Sequence, residues 1–155
     1  MNDQPRTTVT TVLTTVVVVG LLIDAFVHLH LAPAFAANRT RWLSEPALFR
    51  AEAAAAIVAA VVLVVRRNRV TTAFAFIVAA SGTVAVVVYR YVDLGTIGPI
   101  PDMYDPYWAP ALKTISVVAE ALAALAALAL MLADARRASP QSSSTIRHAH
   151  HPASG

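Results

Sequence analysis

Ionisable side chains are scarce in this sequence, and the ones that could do chemistry fall inside long apolar runs. Asp24 and His28 lie in "VTTVLTTVVVVGLLIDAFVHLHL" and Glu52 in "PALFRAEAAAAIVAAVVLVV". Arg90 lies in "VTTAFAFIVAASGTVAVVVYRYV", and Lys113 and Glu120 in "PALKTISVVAEALAALAALALMLA". Near the centre of a membrane-spanning helix each such group costs at least about 2.5 kcal/mol, so it turns toward a partner or a cavity rather than lipid. Asp24 and His28 are four residues apart and share a helical face, which Gly20 extends. Glu45 and Glu52 are seven apart, and Lys113, Ser116 and Glu120 form one stripe. Carboxylates beside an imidazole can hold a cation, relay a proton or act as acid and base. Asp24, His28 and Glu52 are also metal-ligand types. Nothing in their spacing demands a metal, and none is predicted. His30 is about 200° around the helix from His28, so "HLH" is not a chelating pair and His30 belongs at the interface.

Four helices must position these groups. The apolar runs cover residues 9–31, 46–65, 70–92 and 110–133, and about 20 residues suffice to cross a bilayer as a helix. Many residues are β-branched, yet in lipid every backbone group needs an internal partner, so isolated runs of this length become helices. The whole chain agrees: 57% of its 155 residues are hydrophobic, 14% are charged, and the mean hydropathy is +0.62. The predicted fold is therefore all-α, an integral membrane four-helix bundle. Residues 1–137 form the transmembrane domain. Residues 138–155, "ASPQSSSTIRHAHHPASG", form a disordered cytoplasmic tail whose "HAHH" is read as incidental. Pro46 and Pro110 suit first helical turns, and Ser44 can cap the second helix. Alanine dominates helices two and four, which predicts close packing inside the bundle.

The sequence has no cysteine, which excludes disulfides, thiolate metal sites and cysteine redox chemistry. Its net charge of +3 reflects arginines near membrane ends, so nucleic acid is not an expected partner. No nucleophile motif, phosphate loop or cofactor fingerprint is present, and no cofactor is assigned. Arg6, Arg66 to Arg69, and Arg136 with Arg137 fall on one side of a four-span topology. The positive-inside rule makes that side cytoplasmic, with both termini there. An A-x-A sequence at Ala34 and Ala36 offers a rival, signal cleavage leaving three helices. The preceding apolar run is about twice the length of a signal h-region and carries Asp24, His28 and His30, so four spans are expected.

In that orientation all four helices put their charges in the outer half of the bilayer, above inner halves of Val, Leu and Ala. One polar cavity follows, closed inward, formed by Asp24, His28, Glu52, Arg90, Lys113 and Glu120. With His28 neutral the set carries −1. It is either a self-satisfied salt-bridge network or a site for a ligand, cation or proton. Lys113 is the single lysine in an arginine-rich chain. A compact ammonium there predicts a cavity position against Glu52, Glu120 or a bound anion. The outer connector "GPIPDMYDPYWAP" is dense in proline and aromatic rings. It is predicted to fold as a lid, with Asp102, Tyr104, Asp105, Tyr107 and Trp108 over the cavity and the two aspartates at its rim. Tyr and Trp also favour the membrane–water interface, where they would anchor the outer ends as a belt.

Four short helices, a histidine near the outer end of the first in "FVHLHLAP" (His28, with Pro33), and a basic inner hairpin resemble the DoxX-like four-helix membrane proteins over residues 9–133. That resemblance implies the topology. Some DoxX-like proteins are associated with redox or thiol-stress complexes, and this chain lacks the cysteine a thiol-active member needs. With its elaborate connector and Arg/Ala/Val bias, the chain also resembles a small, uncharacterised family of actinobacterial four-span membrane proteins. The expected setting is the bacterial inner membrane. The expected role is an outward-facing pocket for a small polar molecule or ion, in transport or as an oxidoreductase accessory. The alternatives are a structural subunit, as a homo-oligomer or within a larger membrane complex, and a membrane enzyme using a carboxylate and His28.

Overall fold

The computed structural model describes residues 4–138. The expected disordered tail with its "HAHH" lies outside the described residues, except that Ala138 ends the last helix. The elements are α1 (Gln4–Leu31), continued by a 3-10 turn (Ala32–Phe35), α2 (Glu45–Val65), α3 (Arg69–Tyr91) and α4 (Ala111–Ala138). All four helices have the length and apolar composition to cross a membrane. The protein is thus an all-α, multi-pass membrane bundle, and no strand occurs among the described residues, only two isolated bridges. α1 starts earlier and α4 ends later than the apolar runs alone indicate, because Thr and Arg at a bilayer edge continue a helix whose backbone is already paired.

Local sequence sets the helix starts. The Ser44 side chain accepts from the Ala47 N–H, and Pro46 occupies the first turn, where no donor is lost. Asn68 accepts from the Val70 and Thr71 N–H groups while Thr71 Oγ1 accepts from the Asn68 N–H. This reciprocal cap lets the chain reverse within three residues between α2 and α3.

α1 packs on α2 and α4, α3 packs on α2 and α4, and α1 barely meets α3. The bundle is therefore four-cornered, with its neighbours antiparallel. Alanine makes this possible. Ala53, Ala56, Ala59 and Ala60 of α2 and Ala123, Ala126 and Ala127 of α4 are buried around Val17, Leu21, Leu63 and Leu130. Small side chains at intervals of three and four allow the backbones to approach, which is the main source of helix association in lipid. Gly20 marks the closest approach of α1 to α4: a Cβ there would stand 2.7 Å from the Ala119 carbonyl oxygen. The outward Val, Leu and Ile side chains suit lipid contact.

The bundle has two unlike ends. At the end holding the α2–α3 turn, Asp134 gathers three arginines: Arg67 at 3.3 Å, Arg137 at 3.2 Å, and Arg69 on its backbone oxygen at 3.3 Å. The other end carries the two long connectors and the buried charges.

Candidate functional site

Late in α1, Asp24 is buried and His28 follows one turn on. His28 Nδ1 lies 2.6 Å from Asp24 Oδ1 and 3.1 Å from the Asp24 backbone oxygen. Both are acceptors, so the ring hydrogen is assigned to Nδ1 and Nε2 is left to meet something else. The edge of Phe49 packs against the imidazole at 5.1 Å, and Phe35 of the 3-10 turn packs on Phe49 at 5.3 Å. The turn thus holds the ring pair that orients His28.

α4 completes the network. Ser116 Oγ stands 3.0 Å from Asp24 Oδ1 and 3.0 Å from Glu120 Oε1, joining α1 to α4 across 92 residues of chain. One hydroxyl supplies one hydrogen, so the second of these contacts needs a hydrogen on a carboxyl group. Glu120 has no exposed surface, and Asp24 is 1% exposed. Asp24 Oδ2 and Glu120 Oε2 are buried with no hydrogen-bond partner. Asp24, His28 and Glu120 each bring one donor atom within 4.8 Å of the others, a mixed N/O triad able to hold a ligand. Glu52 does not belong to this triad, although it approaches it over Gly82: a Cβ there would meet Glu120 Oε2 at 2.6 Å and Glu52 Oε1 at 3.4 Å.

Above the network is a cavity of about 450 Å³. Its walls come from the connector-side halves of α2 (Glu45 to Glu52) and α3 (Ser81 to Tyr89), with His28 and Ser116 at its floor. Val27, Leu31, Phe35, Leu48, Val86 and Met103 make most of its lining apolar.

The two expected cations are committed elsewhere. Lys113 lines the cavity, but its Nζ pairs with Asp105 Oδ2 at 2.8 Å and donates to the backbone oxygens of Asp105 and Tyr107, each at 3.2 Å. Its partner is therefore the connector, not Glu52 or Glu120. Arg90 stacks over Tyr91 (5.0 Å) and Trp108 (5.6 Å), its Nε is buried without a partner, and no ion pair joins it to the carboxylates. The expected near-neutral set of six is corrected accordingly. Asp24, Glu52 and Glu120 face one imidazole; with the carboxyl hydrogen that the Ser116 contacts require, the set still carries −1 when His28 is protonated.

Of the five connector residues expected over the cavity, Asp105 alone is among those lining it. Ile100, Met103, Asp105 and Pro110 line it. Tyr104 and Tyr107 are exposed, at 38% and 68%, and Trp108 serves Arg90. The aromatics therefore face outward, as interface residues do. Asp102 and Asp105 act mainly on their own loop, each accepting from the N–H two residues on. Gly95 and Gly98 adopt positive φ, and the Asp105 N–H donates to the Tyr89 oxygen, which ties the connector to α3. The sequence reading missed Asn38. Its amide donates to Glu45 Oε2 (2.5 Å) and to the Asp102 backbone oxygen (2.6 Å), joining both connectors and the start of α2. Only its position in a short polar stretch before a helix hinted at this.

Fold and site together define a four-span membrane bundle with an internal polar network under a partly covered cavity. No protein-family model matches the chain, and no curated protein or solved structure does either.

Proposed function

We propose that this chain is a structural subunit of a bacterial inner membrane, with both termini cytoplasmic, whose buried charges form a network fixing α1 against α4. The observation that supports this most directly is Ser116 Oγ placed between Asp24 and Glu120. A slip of α4 by one turn would strand two buried carboxylates in an apolar bundle, so the hydroxyl selects one register. The basic side chains around Asp134, at the opposite end from the cavity, support the orientation through the positive-inside rule. Kinship with the DoxX-like proteins is part of the proposal and rests on topology, His28 and Pro33. Mass measurement of the complex extracted in mild detergent tests the subunit role. A homo-oligomer or a hetero-complex agrees with it, and a stable lone monomer in native lipid contradicts it.

A second reading, a binding pocket for a small molecule or ion, is favoured by a separate observation. The network is incompletely satisfied: two buried carboxylate oxygens lack partners, and Glu52, which lines the cavity, has no ion pair among the described residues. Ligand retained through purification, and lost on Glu52→Gln, would support this reading.

A further inference from the structure

We propose that the cavity binds a lipophilic organic cation, an amine or onium ion with apolar substituents, and that Glu52 is its counter-ion. The inference rests on the pocket reading above and names the ligand class. Three features select it. The volume of about 450 Å³ lies within the range of small-molecule sites. The charge at the cavity is negative and unbalanced, because Glu52 lines it with no ion pair among the described residues, while Lys113 is neutralised by Asp105 and Arg90 is stacked on Tyr91 and Trp108. The walls are apolar, with Phe35, Phe49 and Tyr89 among them, and aromatic faces attract cations within about 6 Å.

Other ligand classes fail on one feature each. An anion would meet the side chains of Glu45 and Glu52, with Lys113 already paired to Asp105. A hydrated inorganic ion would leave Leu31, Leu48, Val86 and Met103 against water. A neutral apolar molecule would bury Glu52 without a counter-charge. An apolar body with one positive centre satisfies both the walls and the floor.

The test uses the full chain in lipid nanodiscs, with empty nanodiscs as the blank. Binding of tetraphenylphosphonium is compared with its anionic isostere tetraphenylborate and with neutral triphenylphosphine oxide. The expected result is saturable binding of the cation alone. Glu52→Gln should weaken it at least tenfold while leaving the melting temperature within a few degrees, and Glu52→Asp should restore part of it. Equal binding of all three probes, indifferent to Glu52→Gln, would overturn the cation assignment and leave the pocket. Binding of none would overturn the pocket reading as well. Binding of Zn²⁺ alone would assign the site to the Asp24–His28–Glu120 triad and overturn the proposal.

Discussion

Gly82 of α3 faces Glu120 of α4 so closely that a Cβ at Gly82 would stand 2.6 Å from Glu120 Oε2 and 3.0 Å from its Cδ. The missing side chain is what admits a carboxylate into the bundle at this level. In an ordinary helix Gly→Ala gains about 0.5–1 kcal/mol. Here the fully buried Glu120 would have to leave Ser116, so the sign should reverse. Gly82→Ala is expected to destabilise the protein by about 1–3 kcal/mol, the usual cost of overpacking, measured by reversible unfolding in mixed SDS micelles. Gly20→Ala offers a comparison, because its clash is with backbone and with Ala123 Cβ. It should push α1 from α4 and cost at least as much.

Asn38 joins the two connectors through Glu45 and the Asp102 backbone. Asn38→Ala leaves the buried Glu45 short of a donor, which should cost about 1–3 kcal/mol. Asn38→Asp sets a second carboxylate against Glu45 and should be worse. The same unfolding titration reads both, and an Asn38→Asp variant as stable as the parent would contradict the assignment.

Lys113 clamps the connector rather than the floor of the cavity. Lys113→Met should therefore loosen residues 102–108, with amide exchange there about tenfold faster, equivalent to about 1.4 kcal/mol of local stability. Exchange across α2 and α3 at Glu52 and Gly82 should stay unchanged. Faster exchange at the floor with a protected connector would restore the carboxylate partnership.

The fold and part of this site were legible in the sequence, and the division has a physical cause. The four runs were visible because a bilayer leaves an apolar segment no alternative to a helix. Asp24 with His28, and Ser116 with Glu120, were visible because helical spacing alone puts them on common faces. The Ser44 cap was equally local. Connector geometry decides the other contacts. Lys113 meets Asp105, and Asn38 meets Asp102, through loop conformations that no periodicity encodes. The tyrosines beside Arg90 were legible as flanks, but the turn bringing Trp108 onto the same guanidinium was not. A charge count over one depth therefore assigned both cations to a cluster they do not join.

Topology is open to direct measurement. Reporter fusions after Arg69 and Arg137 should read cytoplasmic, and fusions near Arg41 and Gly95 should read external. An external reading after Arg69 would reverse the proposed orientation and move the cavity to the cytoplasmic side.

The central claim is that Asp24 of α1 and Ser116 of α4 belong to one network rather than to two separately tolerated polar groups. A double-mutant cycle with Asp24→Asn and Ser116→Ala, read by reversible unfolding in mixed micelles, tests it most directly. A shared network predicts that the double variant departs from the sum of the single effects by about 0.5–3 kcal/mol. Intramembrane side-chain hydrogen bonds average about 0.6 kcal/mol, so the lower part of that range is expected. Additivity within about 0.3 kcal/mol would contradict the account.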